Sequence, residues 1–358
     1  MNTSTENFRL GIIGCGAISH YHANAVSKSA YGLRLISCCD IREEVAKNFA
    51  RQYGCCAWYA DYTQMIREQA LDGIVLATWP NQHREQIERC LEAGARNILC
   101  EKSLALTGQH AVEIQTLIGE AGAFLMEGYM YRHHPVIRKI EHMVVENEIG
   151  VVDNVRGVFS SFDPEMASAS DATRNWRQRP ECGGGVPHDF ACYATNASNL
   201  FAPGRPKTVF ATGGISEHYG TVNRMYGLIE YDSGCIGMIE SSKKADFSQE
   251  LQITGASGII NLPIAWTVES DTVIEVRHSR GWADVLVEQY TVKNADSYQL
   301  QTENFADVVR GRAEPIVPLI DSVVNCFTIE ALLKSLEGGC RIEIDLPESV
   351  KVRRENRT

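Results

Sequence analysis

A lysine stands where an apolar run ends, in the stretch NILCEKSLAL at residues 97–106. The run NILC has the composition of a buried strand, and Glu101 and Lys102 follow it directly. A cation at such a strand end either caps the strand in solvent or assists proton transfer in a reaction. Lys102 is therefore a candidate catalytic residue.

A second candidate group lies in the stretch GGGVPHDFACYATNASNLF. Pro187 suits the first position of a helix, and Asp189 then lies in the first turn, where the helix dipole stabilises a carboxylate. Asp189, Tyr193 and Asn196 follow i, i+4, i+7 spacing and would share one helix face. This face could hold a substrate. The alternative is a half-buried helix whose Tyr193 only hydrogen-bonds the core.

The elements that must position Lys102 begin with RLGIIGCGAISHYHANAV, a short apolar strand, a glycine turn and a helical pattern. Gly14 suits the tight turn and Gly16 the close approach of a pyrophosphate, while Ser19 takes the place of the usual third Gly or Ala. The phosphates would bind at the helix start, at Ala17 and Ile18. This order of elements favours a dinucleotide site.

The next strand, LRLISCCD, ends at Asp40, where an acid would bond the ribose hydroxyls of the adenosine half. Asp40 favours NAD over NADP, because a ribose phosphate would meet its negative charge. Arg42 could offset that charge, so NADP stays open. Ile41 completes the predicted ribose site. The alternative for Asp40 is an ordinary capping aspartate.

Strands and helices alternate up to residue 125, with helices predicted over 43–53, 62–69 and 82–93. This α/β alternation predicts that residues 1–125 form a doubly wound Rossmann domain with a parallel sheet. Ligands bind at the carboxyl ends of such strands. At this edge we predict cofactor contacts from Thr78, Pro80, Asn81, His83, Glu101 and Lys102.

After residue 125 the pattern changes to a helix over 136–147 and then to alternating stretches such as NVRGVFSSF and MYGLIEY. Residues 126–358 are therefore predicted to form an α+β domain with a mostly antiparallel, open-faced sheet. A helix over 318–337 has a long apolar face and ends at two glycines. We expect it at the domain interface.

Composition limits the partners. A length of 358 residues favours two domains, and a net charge of -11 argues against a nucleic-acid or membrane surface. The stretch MNTSTENFRL has no leader pattern and no membrane span is visible, which predicts a cytoplasmic protein. The 12 cysteines lack metal spacing and have the pattern of small buried hydrophobes. No metal is expected.

In this order, the glycine turn, Asp40, ATWPNQH and LCEKS resemble the Gfo/Idh/MocA family of glucose-fructose oxidoreductases and inositol dehydrogenases. The resemblance continues through MEGYMYRHHP, NWRQRPECGGGVPHDFACYATN and NFADVVRGRAEP. It is strongest to the branch that contains D-xylose dehydrogenase, dihydrodiol dehydrogenase and glucose-fructose oxidoreductase. The family signature is Glu-Lys-Pro, so its lysine is implied to be Lys102, and Ser103 replaces the proline.

The resemblance implies an NAD(P)-dependent oxidoreductase acting on a secondary or anomeric hydroxyl of a cyclic sugar, sugar derivative or polyol. Tyr193 would exchange the hydroxyl proton, Lys102 would favour its ionised form, and Asp189 would bind the adjacent hydroxyl. Further predicted substrate contacts are Tyr131, Arg132, Trp176 and Arg177. By family analogy the chain forms a homodimer or homotetramer through its second sheet.

Two alternatives remain open at this point. One is a catalytically inactive dinucleotide-binding sensor or regulatory subunit, which the substitution at Ser103 and the unusual VPHDFACY stretch would suit. The other is a metal-dependent lyase built on the same fold. The first would bind the cofactor without turnover, and the second would lose activity to a chelator.

Overall fold

The chain forms two compact units, and the computed structural model describes residues 7–163, 175–282, 284–348 and 350. The first unit combines the described residues up to 105 with residues 110–133 and 296–319. The second combines 106–109 and 134–295 with the described residues from 320 onward. This division differs from the single boundary predicted at residue 125, because a late segment belongs with the early one.

The first unit contains a six-stranded sheet within the described residues. Its strands are β1 (Phe8–Ile13), β2 (Leu33–Cys39), β3 (Ala57–Tyr59), β4 (Gly73–Leu76), β5 (Asn97–Cys100) and β6 (Phe124–Glu127). They pair in parallel in the order β3-β2-β1-β4-β5-β6. This is the strand order of a dinucleotide-binding fold, in which ligands bind where the order reverses, between β1 and β4. The predicted Rossmann fold is confirmed.

The helices of the described residues follow from local signals. They are α1 (Ala17–Lys28), α2 (Glu43–Tyr53), α3 (Tyr62–Glu68), α4 (His83–Ala93), α5 (Gly108–Glu120), α6 (Pro135–Val145), α7 (Cys192–Phe201), α8 (Ser297–Val309) and α9 (Leu319–Gly338). Helix α3 starts where Asp61 accepts a hydrogen bond from the Thr63 amide, and α2 ends at Gly54 with φ +69°. The helices predicted over 43–53, 62–69 and 82–93 are confirmed. Helix α5 and strand β6 were not predicted.

The second unit contains a nine-stranded sheet within the described residues. Its strands are β7 (Val152–Ser160), β8 (Pro206–Ile215), β9 (Val222–Tyr231), β10 (Ile236–Ser242), β11 (Leu251–Gly255), β12 (Ile259–Leu262), β13 (Thr272–Ser279), β14 (Val285–Val292) and β15 (Ile342–Glu343). Their order is β14-β13-β12-β11-β7-β10-β9-β8-β15. Among the described residues of this sheet, β7 and β10 pair in parallel and the other neighbouring strands pair antiparallel. The prediction of a mostly antiparallel sheet is therefore confirmed.

One face of this second sheet is covered by α7 and α9. Gly157 of β7 lies so close to α7 that an added Cβ would be 2.7 Å from the Cβ of Ala194. The amide of Ala211 in β8 donates to the Ser335 hydroxyl of α9 at 2.9 Å. The opposite face is open: Phe210, Tyr226 and Leu228 are 40%, 43% and 48% exposed. The open-faced sheet is therefore confirmed.

Helix α9 begins one residue later than predicted and ends before Gly339, whose φ is +62°. It is buried on most sides rather than along one stripe, since Asn325 and Thr328 contact Asn199 of α7. Among the described residues, no helix combines the length and the apolar character that a bilayer crossing requires.

The cysteines match the prediction of small buried hydrophobes in most cases, although Cys56 and Cys340 are exposed. Burial raises the pKa of the Cys39 and Cys90 thiols to about 12. These two thiols are therefore protonated and unreactive at neutral pH.

Candidate functional site

The glycine turn after β1 has the geometry that a pyrophosphate requires. Gly14 has φ +87°, and an added Cβ would lie 2.7 Å from the Ala77 carbonyl oxygen. Gly16 is exposed and precedes α1 without a side-chain cap, so the first amides of the helix, at Ala17 and Ile18, can meet an anion. The hydroxyl of the buried Ser19 donates to the Gly14 carbonyl, which accommodates serine at the third small position.

Asp40, the residue predicted to bind the ribose, follows β2 and is hydrogen-bonded to this turn. Its Oδ2 accepts from the Cys15 amide at 3.1 Å, and its Oδ1 accepts from the Arg42 amide at 2.9 Å and from Arg42 Nε at 3.2 Å. The capping alternative explains the Arg42 amide but not the Cys15 contact. An ionised carboxylate offers about four acceptor positions, so capacity for ribose hydroxyls remains. Ile41 is 89% exposed and offers an apolar surface for an adenine ring.

Glu101 anchors the loop that carries Lys102. Its amide donates to the Leu76 carbonyl at 2.8 Å, which continues the pairing of β4 and β5. Its Oε2 accepts from the Lys102 amide at 3.1 Å, and its Oε1 lies 2.7 Å from His22 Nε2 of α1. Lys102 itself is half-buried, and the Lys102–Ser103 peptide is cis. The carboxylate of Glu101 therefore ties this loop to the helix that starts the nucleotide site.

Two further buried side chains hold the same loop. His83 Nδ1 lies 3.0 Å and 3.2 Å from the carbonyl oxygens of Ser103 and Leu104, and its Nε2 lies 3.3 Å from the Thr78 carbonyl. Burial lowers the pKa of His83, which favours the neutral ring. Glu127 accepts from the Leu104 amide at 2.7 Å. His83 has no exposed surface, so it positions this loop and has no side-chain surface to offer a cofactor.

The other residues predicted at this edge lie in or beside the turn that follows β4. Thr78 is half-buried and its hydroxyl donates to Gln86 at 2.5 Å. Pro80 is buried and begins a short 3-10 helix, Pro80–Gln82, and Asn81 is exposed. Their contact with a cofactor stays a prediction.

The start of the second candidate helix differs from the prediction. Pro187–Ala191 forms a π-helical turn, and the α-helix begins only at Cys192. The predicted α-helical spacing from Asp189 is therefore wrong for the first turn, where hydrogen bonds span five residues instead of four. Pro187 has no amide to donate to a regular first turn. Asp189, Tyr193 and Asn196 are all buried.

Asp189 lies between two cations. Arg177 Nε is 2.9 Å and Lys243 Nζ is 3.0 Å from the same oxygen, Asp189 Oδ2. Asp163 Oδ2 lies 3.5 Å from Lys243 Nζ. The charge of Asp189 raises the pKa of the Arg177 guanidinium above its ordinary value. The cluster therefore holds a buried carboxylate that can only accept hydrogen bonds while it is ionised.

Aromatic rings border Tyr193 and Asp189. Phe159 meets Tyr193 edge-on at 5.4 Å between ring centroids and stacks on Phe190 at 4.4 Å. The Trp266 ring lies 6.1 Å from the Tyr193 ring, and Arg177 lies 5.0 Å above the Trp176 ring. A few polar groups among aromatic walls are typical of sites for small molecules with apolar faces and hydroxyls.

Two predicted substrate contacts lie in the first unit. Tyr131 and Arg132 belong to a short 3-10 helix, Met130–His133, and both side chains are buried. Their role toward a substrate stays a prediction. The structure brings together Arg177, Asp189 and Trp176, as the sequence suggested, since Arg177 contacts both of the others.

Sequence reasoning missed His22, Glu127 and Lys243. Each is a buried polar residue whose partner is distant in sequence. Lys243 stands beside the exposed Lys244 in ESSKKADF, and two adjacent lysines at a strand end are typical of a solvated surface. No local signal distinguishes the two.

Comparison with known proteins agrees with this geometry. Residues 8–129 match the Gfo/Idh/MocA domain described as "Oxidoreductase family, NAD-binding Rossmann fold", and residues 137–261 match the Gfo/Idh/MocA C-terminal domain. The D-xylose 1-dehydrogenase (NADP(+)) 2 of Haloferax volcanii is 30% identical over 303 residues, which are 85% of this chain and 90% of that protein.

Two more distant relatives extend the comparison over nearly the whole chain. The scyllo-inositol 2-dehydrogenase (NAD(+)) of Bacillus subtilis is 23% identical over 94% of this chain and 96% of its own. The crystal structure of aldose-aldose oxidoreductase from Caulobacter crescentus complexed with glycerol has the same fold, with a TM-score of 0.83 and 19% identity over 94% of this chain and 100% of that one. This chain belongs to the Gfo/Idh/MocA family of oxidoreductases, and its N-terminal part is an NAD-binding Rossmann fold.

Proposed function

We propose that this protein is an NAD(P)-dependent oxidoreductase that transfers a hydride between nicotinamide and a secondary or anomeric hydroxyl of a cyclic sugar, sugar derivative or polyol. The observation that carries the proposal is the buried carboxylate of Asp189 beside Tyr193 and aromatic rings. Such an acceptor suits a hydroxyl, and the rings suit the apolar face of a sugar. The activities for which the related D-xylose and scyllo-inositol enzymes are named support this substrate class.

The residues of the chain would manage the proton. When bound, the nicotinamide accepts the hydride that leaves the carbinol carbon. In the proposed reaction the hydroxyl gives its proton to the oxygen of Tyr193, and Lys102 supplies the cation that favours an ionised phenol. Asp189 accepts a hydrogen bond from the adjacent hydroxyl and orients the ring. Without a neighbouring cation, a phenol with a pKa near 10 is a poor base at neutral pH.

Arg177, which the sequence predicted only as a substrate contact, adds a second source of positive charge. It bonds Asp189 directly, and the charges of both Asp189 and Tyr193 raise the pKa of its guanidinium. The reverse effect of Arg177 on Tyr193 favours the ionised phenol. Two cations, Lys102 and Arg177, would then assist Tyr193.

The first experiment is a fluorescence titration with NADH and, separately, NADPH at one salt concentration, followed by a screen of sugars and polyols for absorbance change at 340 nm. Tight binding of NADH or NADPH together with turnover of a cyclic sugar or polyol supports the proposal. Dinucleotide binding with no turnover on the whole panel would favour the sensor alternative. Activity that is lost to a chelator would favour the lyase alternative.

The test of Lys102 is Lys102→Ala. We expect turnover to fall more than tenfold, since proton transfer by a positioned group contributes about 10²- to 10⁴-fold. Affinity for NADH should fall far less than turnover, since Lys102 is only one of several predicted cofactor contacts. Initial rates at saturating substrate and the fluorescence titration measure the two effects. Turnover within tenfold of wild type would contradict the role. Lys28→Ala, which removes an exposed lysine from the same unit, is the control.

We further propose that the open face of the second sheet joins copies of this chain into a homodimer or homotetramer. Phe210, Tyr226 and Leu228 lie on neighbouring strands and point to the same side, with Phe210 paired to Leu228 in the register of β8 and β9. Exposed apolar side chains that adjoin in this way mark a surface that another protein covers. In a two-fold symmetric dimer the same patch of each copy would meet its equivalent.

A further inference from the structure

Lys243 is one of the largest fully buried side chains of the described residues, with 2% of the side chain exposed. A lysine is rarely buried unless its charge is paired. Desolvation of an ammonium ion is expensive and is offset only by close opposite charges and hydrogen bonds. A buried lysine beside a candidate substrate-binding carboxylate therefore needs an explanation.

The parallel pair in the second sheet brings Lys243 to this position. Ser160 at the end of β7 is in register with Ser242 at the end of β10, so both strands end at the same edge. Lys243 follows β10 directly, and its carbonyl accepts from the Asp163 amide at 3.0 Å. Its own amide donates to the Asn223 carbonyl at 2.8 Å. The backbone of Lys243 is thus fixed from β9 and from the segment that follows β7.

The side chain of Lys243 then completes a charge cluster. Its Nζ lies 3.0 Å from Asp189 Oδ2, 3.5 Å from Asp163 Oδ2, and 5.1 Å from the centre of the Phe190 ring. Arg177 Nε bonds the same Asp189 oxygen at 2.9 Å. Arg177 is 43% exposed at its side chain and is therefore screened by solvent, whereas Lys243 is not. Lys243 is therefore the more buried of the two cations, and its charge is less screened by solvent.

We propose that Lys243 is a positioning residue of the substrate site, which holds the Asp189 carboxylate ionised and in one orientation so that it accepts a hydrogen bond from a substrate hydroxyl. The inference rests on the proposed function, because it assigns Asp189 to substrate. Among the residues that the structure describes, this cluster contains two carboxylates and two cations, whose formal charges cancel. An uncharged polyhydroxyl compound is the substrate class that such a cluster suits.

Within the described residues, the charged and titratable groups around Asp189 come from several segments of the second unit. Arg177 and Lys243 contact it directly, Asp163 faces it through Lys243, and Tyr193 and His188 lie on its own helical segment. Replacing Lys243 by an uncharged residue removes the more buried of the two cations that contact Asp189 within the described part of the chain. The protonated, neutral form of Asp189 should then become more favourable. A protonated carboxyl has an O–H that donates, and it has less capacity to accept hydrogen bonds than a carboxylate.

The test compares Lys243→Met with Lys243→Arg, and uses Lys244→Met as the matched control, because Lys244 is the adjacent, exposed lysine. For Lys243→Met we expect KM for the sugar found in the screen to rise more than tenfold. The acidic limb of kcat/KM against pH should move up by about one pH unit, as expected for a carboxyl that loses a neighbouring cation. NADH affinity should change less than twofold. In Lys243→Arg, the acidic limb of the pH profile of kcat/KM should return to its wild-type position.

A readout that needs no turnover separates this inference from the proposed function. The carboxyl carbon of Asp189 is labelled with [4-¹³C]aspartate, assigned by its loss in Asp189→Asn, and titrated in wild type and Lys243→Met. Titration at a higher pH in the variant supports the inference, and coincident curves overturn it. If the titration is shifted but the protein oxidises no sugar or polyol, the proposed function is overturned. The effect of Lys243 on the ionisation of Asp189 would still be supported. Thermal melting of each variant verifies folding.

Discussion

Asp40 and Arg42 lie at the predicted ribose end of the nucleotide site, and their contacts bear on the proposed choice of cofactor. Arg42 donates to Asp40 from both its amide and its Nε, yet its side chain is 67% exposed. A flexible guanidinium in this position can turn from the carboxylate to a ribose phosphate. Asp40 is held by the glycine turn and cannot move away as easily. The pair is therefore compatible with both dinucleotides and favours NAD.

Arg42→Ala should weaken NADPH binding by about tenfold and change NADH binding less than twofold, because only NADPH carries the phosphate that the guanidinium would bond. The measurement is the fluorescence titration at one ionic strength, since exposed charges are screened by salt. Arg34→Ala, an exposed arginine on β2, is the control. Equal losses for the two dinucleotides would show that Arg42 does not read the phosphate.

Residues that directly follow an apolar strand were predictable, and residues that only a distant partner defines were not. Gly14, Asp40 and Lys102 each stand where a run of buried residues ends, so the hydrophobic pattern marks them. Lys243 also follows a strand, but its burial depends on Asp189, more than 50 positions away. No periodic pattern in the sequence predicts that Lys243 and Asp189 are paired.

At the scale of elements, the loop after β5 is held by buried polar side chains from several directions. Glu101 bonds the Lys102 amide, Glu127 bonds the Leu104 amide, and His83 contacts the carbonyls between them. These contacts hold the backbone of the loop at three positions. The loop is held in this way although Ser103 replaces the family proline.

His83 should make the stability of the protein depend on pH. Its folded pKa is lowered by burial, so below about pH 6.5 the unfolded chain binds a proton that the folded chain does not. The free energy of unfolding should therefore decrease as the pH falls below this value, by at most about 1.4 kcal/mol per pH unit for one proton.

The measurement is urea unfolding of wild type and His83→Gln at pH 7.5 and 5.5. The variant should be less stable at the higher pH, because it loses contacts to the Ser103 and Leu104 carbonyls, and should lose less stability on acidification. His142→Gln, at an exposed position, should keep the wild-type dependence. Parallel curves for wild type and His83→Gln would show that His83 takes up its proton in the folded state.

Element boundaries were predictable where caps are chemically explicit. Glu43 and Glu44 at the start of α2 and Gly54 beyond its end give the boundaries that the structure has. The π-helical turn at Pro187–Ala191 was not predictable, because no residue type encodes a wide turn. That one turn changes how Asp189 is presented relative to Tyr193, so the spacing argument could identify the residues but not their arrangement.

At the scale of the whole molecule, the two sheets differ in the burial of their faces. The strands of the first sheet include runs buried on both sides, such as Ile74 to Leu76 of β4. The strands of the second sheet alternate, as in β9, where Tyr226 and Leu228 are exposed between buried neighbours. This alternation was visible in the sequence and predicted an open face, but it could not say what covers that face.

Leu228→Asp should dissociate the proposed oligomer. Burying a leucine contributes about 1.5 to 3 kcal/mol, and a two-fold symmetric contact contains the change twice. We therefore expect the dissociation constant to rise more than 100-fold, measured by sedimentation velocity over a range of concentrations. Val145→Asp, an exposed position at the end of α6, is the control. An unchanged mass for Leu228→Asp would exclude this face as the interface.

Residues 296–319 belong to the first unit but are synthesised late, which affects when this unit can fold on the ribosome. Phe305 of α8 has no exposed surface and packs against Phe8, Phe124 and Gly73. The nascent chain must therefore be extended beyond residue 133, through strands β7 to β14 of the second unit, before this core can close. At about 5 to 20 residues per second, translation of that interval takes roughly 10 to 30 s. During that time the hydrophobic site for Phe305 stays open, and it is the surface that a chaperone would have to shield.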